Sequence, residues 1–156
     1  MAEQILQINW QQRAEAMSFN TSAFVGGDYL ASTNKESFST HNPATENPLA
    51  VFADGNEVVI DQAVASARSA FKTWRHLSPD KRQSLLLRFA ERIKAERNTL
   101  ALLDCLEMGK PISMALEEVD DAAGFLRYNA ELIDKVYGKS VDLGGRRIIR
   151  SEEHTS

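Results

Sequence analysis

The chain has 156 residues, 43% apolar and 26% charged, and its 18 Lys+Arg against 22 Asp+Glu leave a formal net charge of −4. That acidic balance, with no basic cluster beyond Arg146-Arg147, argues against nucleic acid and anionic membrane surfaces as partners, because phosphate binding needs a basic face. One cysteine, Cys105, excludes an intramolecular disulfide framework and a cysteine-based zinc cluster and fits a reducing, cytoplasmic setting. No apolar run reaches the roughly 18 residues of a membrane span.

Residues 1–10 lack a basic leading region and an unbroken apolar stretch, so they do not read as a secretory signal, and Glu3 and Glu15 weaken a mitochondrial transit reading. Leu6, Trp10, Arg13 and Met17 recur at helical spacing and predict a short amphipathic lead-in helix within residues 1–22. From Ala23 to Ala53, short β-prone runs are punctuated by Gly, Asn and Pro. Phe24-Val25 and Tyr29-Leu30 flank Gly26-Gly27-Asp28, a hairpin turn in which glycine takes positive φ without steric cost. Ser37 to Thr40 stops at His41-Asn42-Pro43, and Leu49 to Ala53 follows Asn47-Pro48. Both prolines remove a ladder donor, so these strands are expected at edges or to end there.

From Asp61 the period changes to that of a helix, with Ile60, Ala63, Val64, Ala67, Ala70, Phe71 and Trp74 on one stripe and Asp61 placed to cap. Ser78-Pro79-Asp80 reads as an N-cap, a proline at the first helical position and an acid where the macrodipole favours it. Leu86, Phe89, Ala90 and Ile93 form that helix's predicted buried face. Asn98 is placed to cap a further helix carrying Leu100, Leu103 and Leu106, which ends where Gly109 offers a left-handed position and Pro111 blocks continuation. The last and longest helix carries Ile112, Leu116, Val119, Ala123, Leu126, Ala130, Ile133 and Tyr137, and Gly138 is its predicted stop. Such a stripe serves a coiled-coil seam or close packing on a sheet or neighbouring helix, and Ala123, Ala130 and Gly124 favour close packing. Val141, Leu143, Gly144-Gly145 and Arg146 to Ile149 then predict the start of another hairpin. There is no internal repeat and no low-complexity tract.

The candidate chemical groups read mainly as structure. Cys105 could be a nucleophile, but it lies inside an apolar helical stretch beside Asp104 and Glu107, carboxylates that raise a thiol pKa. His41, His76 and His154 fall in predicted loops or the tail without metal-ligand spacing. Glu117, Glu118, Asp120 and Asp121 could suggest a cation site, yet on one helix they point to different sides, which predicts a solvated face. Gly138-Lys139-Ser140 lacks the glycine five positions earlier that a phosphate-binding loop needs, Ile133 standing there, and in Gly109-Lys110-Pro111 the turn closes a helix instead of opening one.

Phe24-Val-Gly-Gly-Asp-Tyr29, Asn42-Pro-Ala-Thr-Glu46, Ala63 to Phe71, Leu106-Glu-Met-Gly-Lys-Pro111, Leu126-Arg-Tyr128 and Tyr137-Gly-Lys139 occur in an order and spacing that resembles the N-terminal part of the NAD(P)-dependent aldehyde dehydrogenase superfamily. The resemblance runs from Phe24 to Ile149. Trp10-Gln-Gln-Arg-Ala14 and Ile133-Asp-Lys-Val-Tyr-Gly138 look most like the members that oxidise γ-glutamylamino-butyraldehyde and related ω-aminoaldehydes. The resemblance implies an α/β, Rossmann-like parent fold, of which this segment is a β-hairpin region followed by three to four helices and the start of a β arm. It implies a lead-in helix at 1–22, the N-terminal part of a cofactor-binding domain at 23–139 and the start of an oligomerisation arm at 140–149.

In that family a cysteine thiolate attacks the aldehyde, hydride passes to the nicotinamide, a glutamate-activated water releases the acid, and an asparagine helps to form the oxyanion hole. The resemblance places all of these downstream of this sequence, aligns Cys105 with none of them, and assigns this chain no catalytic, cofactor-binding or metal residue. NAD or NADP and a small aldehyde belong to the parent, a homo-oligomer, and neither nucleic acid nor membrane is implied. Asp120 matches an aspartate near a structural monovalent-cation site of some relatives, without the other ligands. Where relatives continue into Glu-Pro-Val-Gly, this chain reads Arg150-Ser-Glu-Glu-His-Thr-Ser156, which resembles the translation of a common sequencing adapter. Residues 150–156 are therefore expected to be a non-native tail. The competing expectation is a stand-alone helical interaction module that pairs through the Ile112 to Tyr137 stripe; a fragment without its sheet should instead expose the apolar faces of its helices and an unpaired strand edge.

Overall fold

A computed structural model describes residues 8–30, 36–135, 141–142 and 148–149. Helix α1 (Trp10–Glu15) is shorter than the predicted lead-in and starts where the Asn9 side chain accepts a hydrogen bond from the Gln12 N–H at 3.0 Å. Its Trp10 packs against Ala101, Ala115 and Leu116 and so anchors the N-terminal segment to the helical core.

Strands β1 (Phe24–Val25) and β2 (Asp28–Tyr29) pair antiparallel around Gly26 and Gly27, whose φ values are +67° and +103°. Positive φ at both central residues is the geometry of the tight hairpin turn, with Asp28 in the returning strand and not in the turn. The Phe24 and Tyr29 rings lie 5.0 Å apart across this hairpin. Strands β3 (Ser37–His41) and β4 (Pro48–Ala53) form a second antiparallel pair, with Phe38 and Phe52 stacked at 5.7 Å. The expected edge character holds: the ladder has two strands, Pro48 opens β4, and the register shifts at Thr40/His41. Asn42 shapes the connecting turn, its Oδ1 accepting from the Ala44 N–H at 2.9 Å and its carbonyl from the Glu46 N–H at 2.7 Å.

Helix α2 (Glu57–Trp74) begins four residues before the predicted cap at Asp61, because Asn56 Oδ1 accepts from the Val59 N–H at 3.1 Å. Helix α3 (Pro79–Ala95) starts as expected from Ser78, whose Oγ accepts from the Lys81 N–H. Helix α4 (Arg97–Met108) follows after Glu96 alone, so Asn98 sits inside its first turn and does not cap it. Gly109 ends α4 in the left-handed conformation, φ +71°, as its position predicts.

Helix α5 (Ile112–Glu131) stops short of the predicted Gly138. The Asn129 side chain donates to the Phe125 carbonyl, Lys135 Nζ donates to the Glu131 carbonyl, and the Leu132 and Ile133 N–H groups tighten onto carbonyls three residues back. The bonds to the Asn129, Ala130 and Glu131 carbonyls satisfy orphan carbonyls of the helix end. Tyr137, Gly138 and the tail at 150–156 lie outside the described residues. The last expected hairpin is present as β5 (Val141–Asp142) paired antiparallel with β6 (Ile148–Ile149).

The core sits where α5 packs on α3 and α4. Among the described residues its buried members are Ala90, Ala101, Leu102, Ala115, Leu116, Ala123 and Ala130, with Leu116 the largest side chain fully enclosed. Alanines at the contacts let the helix backbones approach closely, and Gln83 Nε2 reaches across to the Ala130 carbonyl at 3.3 Å. The stripe of α5 is thus spent inside the chain on neighbouring helices, as its alanines favoured. Gly124 is not part of that contact: it is exposed, and a Cβ there would meet nothing within 4 Å.

Two expected buried faces are covered only in part. Phe89 is 55% exposed although Ala90 beside it is enclosed and Leu86 and Ile93 are half-buried, and α2 buries no residue, leaving Ile60 and Phe71 each 57% exposed. Helix α3 nonetheless packs on α5 and α2 touches β1, so these faces are partly covered and their larger side chains stay exposed.

Candidate functional site

The side chains that could carry chemistry gather around the α4–α5 turn. Arg97, at the start of α4, reaches the middle of α5 and grips Asp120 with both arms of its fork, Nε to Oδ1 at 2.8 Å and Nη2 to Oδ2 at 2.7 Å. Lys110, in the turn itself, donates from Nζ to Asp104 Oδ2 at 2.7 Å and also to Glu118. The acidic cluster predicted as a solvated face is therefore divided: Glu117 and Asp121 are exposed, whereas Glu118 and Asp120 are committed to cations from α4 and its turn. Asp120 faces a guanidinium, and no group of three or more His, Cys, Asp or Glu side chains able to hold a metal occurs among the described residues.

Hydrogen bonds first from Lys110 to Asp104 and then to Glu118 raise the Lys110 pKa above the ordinary lysine range, with partial desolvation opposing them. A raised value in the folded state means that this contribution is complete below the pKa of an unfolded lysine and is lost as pH climbs through the folded one. The window is alkaline. Lys110→Met should lower the urea midpoint at neutral pH, and the gap to the parent chain should close as the pH is raised through the lysine range. A gap unchanged across that range would contradict the assignment.

Cys105 lies half-buried against Ala101, Ala115 and Leu116. Burial foremost, then the Asp104 charge, raises its thiol pKa, with Lys110 opposing. Its packing against that cluster is that of a small apolar side chain. His41 ends β3 and His76 lies in the turn after α2, both exposed and far apart in the fold's order, and His154 is outside the described residues. Gly138-Lys139-Ser140 and Arg146-Arg147 are also outside them.

An open cavity of about 650 Å³ runs between α3, α4 and α5, with Phe89, Ile93, Leu100, Leu103 and Val119 on its walls. Its rim carboxylates are largely spoken for, Glu96 by Arg92 at 2.9 Å and Asp104 and Glu118 by Lys110. Every described strand ladder is antiparallel, and the positive-φ glycines sit in a hairpin and at a helix C-terminus. No described helix is long and apolar enough to cross a membrane.

The described residues form a partial α/β region, a helix bundle with small antiparallel hairpins in which Arg97 and Lys110 pair with carboxylates of neighbouring elements. Residues 29–154 match the aldehyde dehydrogenase family, and the chain belongs to that family. It is 40% identical over 133 residues to the NADP/NAD-dependent aldehyde dehydrogenase PuuC of Escherichia coli K12, a match covering 83% of this chain and 27% of that protein. The solved structure of a γ-glutamyl-γ-aminobutyraldehyde dehydrogenase from Burkholderia cenocepacia superposes with a TM-score of 0.81 at 34% identity, over 85% of this chain and 28% of that one. An indole-3-acetaldehyde dehydrogenase of P. syringae, solved with NAD+ and IAA, gives a TM-score of 0.83 at 35% identity, over 90% of this chain and 29% of that one. The chain spans less than a third of the length of each of these relatives.

The ion pairs are what sequence reading missed. Their signal was the turn at Gly109-Lys110-Pro111: folding the chain back there brings the start of α4 beside the middle of α5, which places Arg97 near Asp120.

Proposed function

We propose that the whole protein of which this chain is the N-terminal part oxidises aldehydes to carboxylic acids with NAD or NADP, and that ω-aminoaldehydes are its substrates. The family match over residues 29–154 carries this reading, and likeness to the γ-glutamyl-γ-aminobutyraldehyde dehydrogenase of Burkholderia cenocepacia supports the substrate class. Within that enzyme residues 23–139 form the N-terminal part of the cofactor-binding domain and residues 140–149 begin an arm for homo-oligomer contacts; residues 150–156 are a tail foreign to it, although the family match runs on to residue 154. The setting is cytoplasmic.

The role of this chain is to hold position. Arg97 and Lys110 fix α5 against α4, and Gln83 fixes α3 against the end of α5, so that the helices present a constant surface to the parts that bind cofactor and substrate. The stand-alone pairing module loses its basis, because Leu116, Ala123 and Ala130 of its stripe are already buried within the chain.

Purified chain is expected to give no aldehyde-dependent NADH or NADPH formation. Turnover that persists in a purified preparation and disappears in Cys105→Ser would overturn the scaffold assignment, while turnover equal in both would mark a contaminant.

A further inference from the structure

We draw no further inference here: the strongest candidate, the open apolar groove between α3, α4 and α5 walled by Phe89, Ile93, Leu100 and Val119, is an unpartnered helix face, and nothing in the structure shows what covers it.

Discussion

Leu116→Ala is expected to cost about 2–5 kcal/mol, the range for emptying a buried leucine site. Leu116 is 1% exposed and is the largest fully enclosed side chain among the described residues, and its immediate neighbours Ala101 and Ala115 have only methyl groups to offer the vacated space. The half-buried Ile112 and Val119 can close part of the gap, which sets where in the range the loss falls. Small domains hold a total of about 5–15 kcal/mol, so this single change removes a large share of what binds α5 to its neighbours. Urea unfolding followed by far-UV circular dichroism reads the loss as a fall in midpoint, and Leu116→Met, which nearly conserves volume, should cost less than about 1.5 kcal/mol. Equal midpoints for Leu116→Ala and the parent would mean that the helices are not packed around this residue.

Gly109→Ala should be the second most damaging single change, through two separable causes. The left-handed conformation, φ +71°, costs a residue with a Cβ about 1–2 kcal/mol. The added Cβ would also lie 3.0 Å from Pro43 Cγ, so the β3–β4 turn would have to give way. Gly109→Asn separates the two, since asparagine tolerates this conformation but meets the same proline. Adding Pro43→Ala to Gly109→Ala should recover the steric part and leave the conformational part, a partial rescue visible as an intermediate urea midpoint. If Gly109→Ala leaves the midpoint unchanged, α4 does not end in this geometry.

The elements were legible wherever a local signal was complete. Ser78-Pro79-Asp80 and Gly109 mark helix ends by their own chemistry, and Gly26-Gly27 specifies a tight hairpin, so these boundaries hold within a residue or two. The start of α2 was hidden because Val58 and Val59 are β-branched and masked the better cap at Asn56. At the end of α5 the last carbonyls are taken by the Leu132 and Ile133 N–H groups and by Lys135 Nζ, which the apolar period does not register.

Burial was the least legible property. A 3.6-residue stripe reports that a helix has an apolar face, not that the covering partner lies in the same chain. The stripe of α5 is covered by α3 and α4, whereas Ile60, Phe71 and Phe89 carry equally good spacing and are exposed. In the site as built, Arg97 and Lys110 hold helices together. Family membership came from the match over residues 29–154 and not from those residues.

The most direct test is to sequence the source DNA across the codons that follow Ile149. The reading frame should depart from Ser151–Ser156 and continue into sequence matching the rest of the aldehyde dehydrogenase relatives, including a cysteine in their nucleophile position. A genuine genomic sequence encoding Ser151 to Ser156 followed at once by a stop codon would contradict the account.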